Sequence, residues 1–234
     1  ALNESTPPDL IVQAAHAVEE RGFHAIWVPE HVVLFGEYKS KYPYSPDGRI
    51  GNYGKGMMEP FTALTYLAAH TSKVRLGTAI CLVTQRNPIY TAKQVADVDY
   101  LSGGRVNFGI GLGWLREEFA ALNVPFEKRG KRANEHIAVM KALWCQEVSK
   151  YHGELYDLQS CVMYPKPIQT PHPPIFVGGE GDHALNRVAA LAQGWLGASM
   201  EPEVITERIA TLHYLLDERG RARDEVKIYT LPNR

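Results

Sequence analysis

Apolar residues recur along this chain in two alternating rhythms. Short runs rich in β-branched and aromatic residues, "HAIWV", "VRLGTAICLV", "RVNFGIGLG", "IFVGG", "WLGAS" and "VKIYT", read as strands. Between them lie stretches with apolar residues at helical spacing. The first, "LIVQAAHAVEERG", follows Thr6-Pro7, read as an N-cap with proline at the first helical position, and stops at Gly22. Others are "FTALTYLAAHTS", "IYTAKQVADVDYLSGG", a long helical region over residues 114–146, "DHALNRVAALAQ" and "PEVITERIATLHYLLDERG". "YHGELYDL" predicts a hairpin inserted near residues 148–165. Strands that are near-continuously apolar suit a parallel sheet covered by helices, so the pattern predicts an α/β fold, either a barrel or a doubly wound sheet.

Six such strands are visible, whereas a closed (β/α)8 TIM barrel has eight. The expectation is a single domain over residues 1–234 whose barrel lacks its first and last strands in this chain, or is shortened. Residues 34–59, with "KYPYSPDGRIGNYGKG", are too long and too rich in Gly, Pro and Tyr for a simple connection. A loop of that length covers a site or is disordered.

Composition narrows the partners. The net charge is −1, and 45% of the 234 residues are hydrophobic. There is no basic field for a phosphate backbone or an anionic membrane, so neither nucleic acid nor membrane is expected as a partner. No segment approaches 18 uninterrupted apolar residues, and the start does not read as a signal peptide, which leads to the expectation of a cytoplasmic protein. Cys81, Cys145 and Cys161 are widely spaced, with no Cys-x-x-Cys pair, so they read as reduced thiols and no metal site is expected.

Ligands of parallel barrels sit at the carboxyl ends of the strands. Four strand ends carry chemistry here: Glu30-His31, Thr78-Ala79-Ile80, residues 111–114 with Gly111, Gly113 and Trp114, and Gly178-Gly179-Glu180. The run Gly109-x-Gly111-x-Gly113 is not a dinucleotide fingerprint, because Trp114 stands where the late glycine belongs. It reads as a strand end whose backbone approaches something closely. Gly178-Gly179 leads into a helix starting near Asp182, an arrangement that suits either a phosphate or a plain strand-to-helix turn. Glu180 would repel a phosphate unless its side chain points away. No Gly-x-Ser-x-Gly elbow, His-Glu-x-x-His helix or P-loop lysine motif is present, so hydrolase, metalloprotease and kinase readings lack support.

The segments "WVPEHV", "VRLGTAICLVTQRNP", "LSGGRVNFGIGLGWLREEF" and "PPIFVGGEG", in this order, resemble the bacterial luciferase-like family of flavin and deazaflavin oxidoreductases. "KYPYSPDGR" and "GWLREEF" look most like its F420-dependent actinobacterial subgroup. The resemblance implies a TIM barrel of the luciferase-like type, a homodimer, and a cofactor lying across the strand ends. It places His31 beside the reacting ring as the catalytic residue. It also places a non-prolyl cis peptide at Ala79-Ile80 under the ring, and the phosphate over Gly178, Gly179 and Glu180. Thr78, Gly111, Gly113 and Trp114 complete the implied cofactor pocket. Many FMN-using members have an arginine between the last two glycines of the run, whereas this chain has Leu112, which points to coenzyme F420 with FMN as the alternative. The implied activity is hydride transfer between the deazaflavin and a small organic substrate. The alternatives are an FMN-dependent monooxygenase and a non-catalytic flavin-binding protein.

Overall fold

The structure, a computed structural model, describes residues 2–51 and 56–232. In chain order its elements are α1 (Pro8–Glu20), β1 (Ala25–Val28), α2 (Pro60–Ala69), β2 (Arg75–Thr78), β3 (Cys81–Leu82), α3 (Pro88–Leu101), β4 (Val106–Gly111), α4 (Arg116–Ala121) and α5 (Arg129–Cys145). The second half adds β5 (Ser149–His152), β6 (Asp157–Cys161), β7 (Ile175–Gly178), α6 (Asp182–Leu191), β8 (Gly194–Met200), α7 (Pro202–Asp217) and β9 (Lys227–Pro232). The main sheet is parallel and runs β1-β2-β4-β7-β8-β9, so strands joined by helices are spatial neighbours, as in a barrel. All six expected strands are found, and a seventh, β3, pairs with β4 off this path.

The sheet curls into a half-barrel, and aromatic rings fill its concave side. Trp27 on β1 reaches Phe176 on β7, with ring centroids 5.5 Å apart, and Tyr229 on β9, 5.7 Å apart. Glycines on adjacent strands make room. A Cβ at Gly77 would lie 2.3 Å from Trp27, and one at Gly194 would lie 2.0 Å from Phe176. Helices cover the convex side, burying Leu64, Val95, Ile137 and Leu143. Every residue of β4 is buried, as a central parallel strand covered on both faces requires.

Three local expectations change. The long helical region over 114–146 divides into α4 and α5, because Pro125 interrupts it and Asn123 (φ 55°) and Lys128 (φ 54°) are left-handed. The first helix begins at Pro8, with Pro7 in the cap position and no side-chain cap from Thr6. The run "VRLGTAICLV" is broken into β2 and β3 by a cis peptide at Ala79-Ile80, where the resemblance placed it. The hairpin β5-β6 is antiparallel, with a register shift between Ser149 and Tyr151. Of the long loop over 34–59, residues 52–55 lie outside the described residues.

Candidate active site

The three glycines of the β4 run each admit a different neighbour. A Cβ at Gly109 would lie 1.8 Å from the carbonyl oxygen of Thr78, and one at Gly111 would lie 1.7 Å from Ile80 Cδ1. A Cβ at Gly113 (φ 74°) would lie 2.8 Å from Phe119. Gly178 on β7 faces the same Ile80, whose Cγ2 would be 2.9 Å from an added Cβ. Ile80 therefore wedges between the ends of β4 and β7, and only glycines let it in. Thr78 contributes from below: its hydroxyl donates to the Gly109 carbonyl at 2.6 Å and is not available to a ligand.

Beside this floor stands His31, three residues past β1 and 8% exposed. Its Nδ1 lies 2.9 Å from Oε2 of Glu118, and its Nε2 lies 3.3 Å from the indole Nε1 of Trp114. An indole N–H can only donate, so Nε2 accepts and Nδ1 carries the proton that goes to Glu118. The carboxylate of Glu118 is wholly buried. It also accepts from the backbone N–H groups of Val32 and Val33 at 2.8 and 3.3 Å, and from Gln85 Nε2 at 3.1 Å. The imidazole is thus held in one plane and one tautomer by a fixed anion, with Nε2 towards the mouth.

The long loop folds over that mouth. Tyr38 and Tyr42 pack edge-on against Trp114, with centroids 5.6 and 5.2 Å away, and Tyr44 packs against Tyr42 at 5.5 Å. The loop is tied down through α4. Glu117 accepts from the backbone N–H of Lys39 at 2.6 Å and of Ser40 at 3.3 Å, and from the Ser40 hydroxyl at 2.7 Å. Burial would raise its pKa, but the Ser40 hydroxyl and the Lys39 amide outweigh it and hold the carboxyl at about 2. A recess of about 380 Å³ opens here, lined by Lys39, Ser40, Lys41, Trp114, Arg116 and Glu117.

At the end of β7, Gly179 has φ 113°, a conformation that favours glycine, and its N–H donates to the Leu196 carbonyl at 3.3 Å. That amide therefore turns towards β8 and is not free for the phosphate that the resemblance places over Gly179. α6 begins three residues on, at Asp182, and its first N–H groups have no partner one turn back within the helix. Glu180 does point away. Its carboxylate accepts from the Ala198 N–H at 2.9 Å and from the Tyr44 hydroxyl, and burial raises its pKa against those bonds. The Tyr44 pKa is likewise raised, by burial first and then by the Glu180 charge. Next to this turn a cleft of about 560 Å³ runs between α5 and α6, starting at Leu112 and bordered by Lys128, Arg129, Lys131 and Arg187.

Structure brings His31, Ile80, Gly111, Gly113, Trp114 and Gly178 around one mouth, with Glu180 at its rim and Thr78 beneath. Sequence reasoning missed Glu118, although a signal existed. Leu115, Glu118, Phe119 and Leu122 share one face of α4, so an acid sat in an apolar stripe. It also missed Arg86, whose guanidinium pairs with Glu30 and reaches Glu59 at 2.9 Å and Gln94 at 2.8 Å. Glu30 in turn accepts from the Leu82 N–H at 2.5 Å, which ties the end of β1 to β3.

The luciferase-like monooxygenase family model matches residues 1–232. An uncharacterized protein of Mycobacterium tuberculosis is 36% identical over 211 residues, covering 90% of this chain and 72% of its own length. The F420-dependent glucose-6-phosphate dehydrogenase of Microbacterium testaceum is 29% identical over 231 residues, covering 97% of this chain and 64% of its own length. Among solved structures, the monooxygenase RslO1 from Streptomyces bottropensis superposes with a TM-score of 0.78 at 25% identity, over 95% of this chain and 64% of that one. The chain thus spans just under two thirds of the solved structure it matches.

Proposed function

The chain belongs to the luciferase-like monooxygenase family, which holds both F420-dependent and FMN-dependent members, and on that premise we propose that it is an F420-dependent oxidoreductase acting on a small organic substrate. The observation that carries the choice of cofactor is Leu112. It offers no charge to a phosphate at the strand end, while the guanidinium groups of Arg129 and Arg187 stand behind it on α5 and α6. Arg129 Nε is buried without a hydrogen-bond partner, which fits an anionic ligand. When bound, a 5-deazaflavin supplies hydride transfer at its C5 carbon.

The residues of this chain divide the remaining work. Ile80, framed by Gly111 and Gly178, would underlie the ring, with Trp114 as a wall. Backbone at Gly181 and the first turn of α6 would hold the phosphate, and the Glu180 carboxylate is kept out of its way by Ala198 and Tyr44. His31, fixed by Glu118, offers Nε2 for proton transfer to or from the substrate once the indole moves aside. Tyr38, Tyr42 and Tyr44 exclude water from above. We further propose a homodimer, for which the exposed Tyr90, Tyr100 and Leu101 of α3 offer an apolar face, and a cytoplasmic setting that suits the free cysteines.

Fluorescence titration of the purified chain with F420 and with FMN tests the reading. F420 should bind at least about tenfold more tightly, a difference of about 1.4 kcal/mol. Equal affinity, or preference for FMN, would establish the FMN-dependent monooxygenase instead. Tight F420 binding without any redox change across candidate substrates would establish the non-catalytic role.

A further inference from the structure

Arg86 holds both ends of the loop that covers the mouth. The loop starts after β1 with Glu30 and His31 and ends at Glu59, the N-cap of α2, and one guanidinium reaches both acids. Its Nη1 donates to Glu30 Oε1, and its Nη2 donates to Glu59 Oε1 at 2.9 Å and to Gln94 Oε1 on α3 at 2.8 Å. The guanidinium carbon lies 4.9 Å from the centroid of the Phe61 ring, which gives the fork a face to rest on. The second oxygen of each carboxylate is committed as well. Glu59 Oε2 accepts from the Thr62 N–H at 2.7 Å, and Glu30 Oε2 accepts from the Leu82 N–H at 2.5 Å. The bond to Leu82 reaches the floor of the site. Ile80 follows Ala79, whose N–H donates to the Val28 carbonyl at 2.8 Å, and precedes Leu82 by two residues. The wedge is therefore pinned to the β1 end on both sides, once by backbone and once by the Glu30 carboxylate. That side chain is 1% exposed, and a carboxylate so buried is kept ionised by a cation beside it, here Arg86.

We infer that Arg86 is a positioning residue: acting through Glu30 and Glu59, it holds the Ile80 floor, the His31 end of β1 and the base of the covering loop in one frame. The inference rests on the reading above in placing a cofactor ring on Ile80, and adds what keeps that floor at a fixed distance from His31. Two conservative changes separate the frame from the charge. Arg86→Lys keeps the cation, but a single ammonium lacks the planar fork that meets two carboxylates and an amide oxygen together. Glu30→Gln keeps the shape, but an amide has one acceptor oxygen where two are in use, so it serves Leu82 or Arg86 and not both.

The test uses the full chain, its parent form and these two variants, with folding checked by circular dichroism. In both variants, without cofactor, amide exchange at Leu82, Val32 and Val33 should quicken roughly tenfold or more while β4 stays as protected as in the parent. The 15N resonances of the His31 imidazole should move, although neither replaced side chain is bonded to that ring. F420 and FMN are titrated by fluorescence, and whichever the parent prefers should bind the variants roughly tenfold less tightly. Native-state exchange of the parent in rising urea needs no variant: Leu82, Val32 and Val33 should open together, ahead of β4. Separate opening of these amides would overturn the inference. So would folded variants with unmoved His31 resonances and parental cofactor affinity, which would leave Arg86 a stabilising ion pair only. A parent that prefers FMN would overturn the choice of F420, while the same losses measured with FMN would still support the clamp.

Discussion

The indole N–H of Trp114 lies 3.3 Å from Nε2 of His31, so the ring nitrogen nearest the mouth is occupied by a donor. The bond sets the tautomer as well as the position, because Nδ1 must then carry the proton donated to Glu118. Trp114→Phe keeps the aromatic wall and removes the donor. In 15N spectra of the imidazole, both proteins should show Nδ1 as the protonated nitrogen, because Glu118 still accepts from it, while the Nε2 resonance should move in the variant as its donor is lost. An unmoved Nε2 resonance would mean that the indole does not donate to it.

Glu118 anchors more than the histidine. Its carboxylate accepts from His31, Val32, Val33 and Gln85 while fully buried, so Glu118→Ala leaves several donors without partners. Each buried unsatisfied group costs about 1–3 kcal/mol, and a loss of about 3 kcal/mol or more in urea unfolding is expected. His31→Ala should differ in kind. It should fold and bind cofactor but lose about 10² to 10⁴ in single-turnover hydride transfer, the range of general acid-base help. A His31→Ala protein that transfers hydride at the parent rate would return His31 to a packing role.

How much of this was legible follows the range of each interaction. Strand and helix order could be read, because period and turn residues are local properties, and the seven strands of the sheet all lie in the six apolar runs that predicted strands. The break at 123–128 carried a local signal, Asn123 two residues before Pro125, but the helical spacing that resumes beyond it masked that signal. His31 and Trp114 stood out as strand-end residues, but Glu118, 87 positions from His31, is joined to it only by the curl of the sheet. The cationic cleft was least visible of all. Its residues come from α5 and α6, more than 50 positions apart, and each alone reads as an ordinary solvated charge on a helix.

Gly109 and Gly111 admit different kinds of neighbour, which predicts different costs for the same substitution. At Gly109 a methyl would meet the Thr78 carbonyl oxygen at 1.8 Å, and backbone in the middle of a sheet cannot retreat. At Gly111 it would meet the tip of the Ile80 side chain, which can turn. Gly109→Ala should therefore cost towards the top of the range of about 1–3 kcal/mol for overpacking, and Gly111→Ala towards its foot. Adding Ile80→Val removes the clashing Cδ1 and should restore part of the stability of Gly111→Ala without helping Gly109→Ala. Chemical denaturation of the four proteins checks the order, and equal costs at the two glycines would contradict the wedge geometry.

The loop over the mouth should open in acid through one carboxyl group. Glu117 holds Lys39 and Ser40 through three hydrogen bonds, which keep its pKa at about 2, below the ordinary value of 4.5. A carboxyl whose pKa is depressed in the closed form favours closure at every pH above its ordinary value, and loses that contribution as pH falls from 4.5 towards 2. Protonation at Oε2 displaces the bond from the Ser40 hydroxyl and removes the charge that strengthens the bonds from the Lys39 and Ser40 amides to Oε1, so the loop loosens while the barrel, held by apolar packing, persists. Because Tyr38 and Tyr42 stack on Trp114, release should alter indole fluorescence and should speed hydrogen exchange at Lys39 and Ser40. The side chain is only partly buried, so the effect should be modest and should weaken in salt. Glu117→Gln separates this latch from general acid effects: it should show the looser loop already at neutral pH and little further change at those two amides down to pH 4. A variant whose loop stays as protected as the parent's at neutral pH would show that the tyrosine packing, and not the carboxylate, keeps the mouth covered.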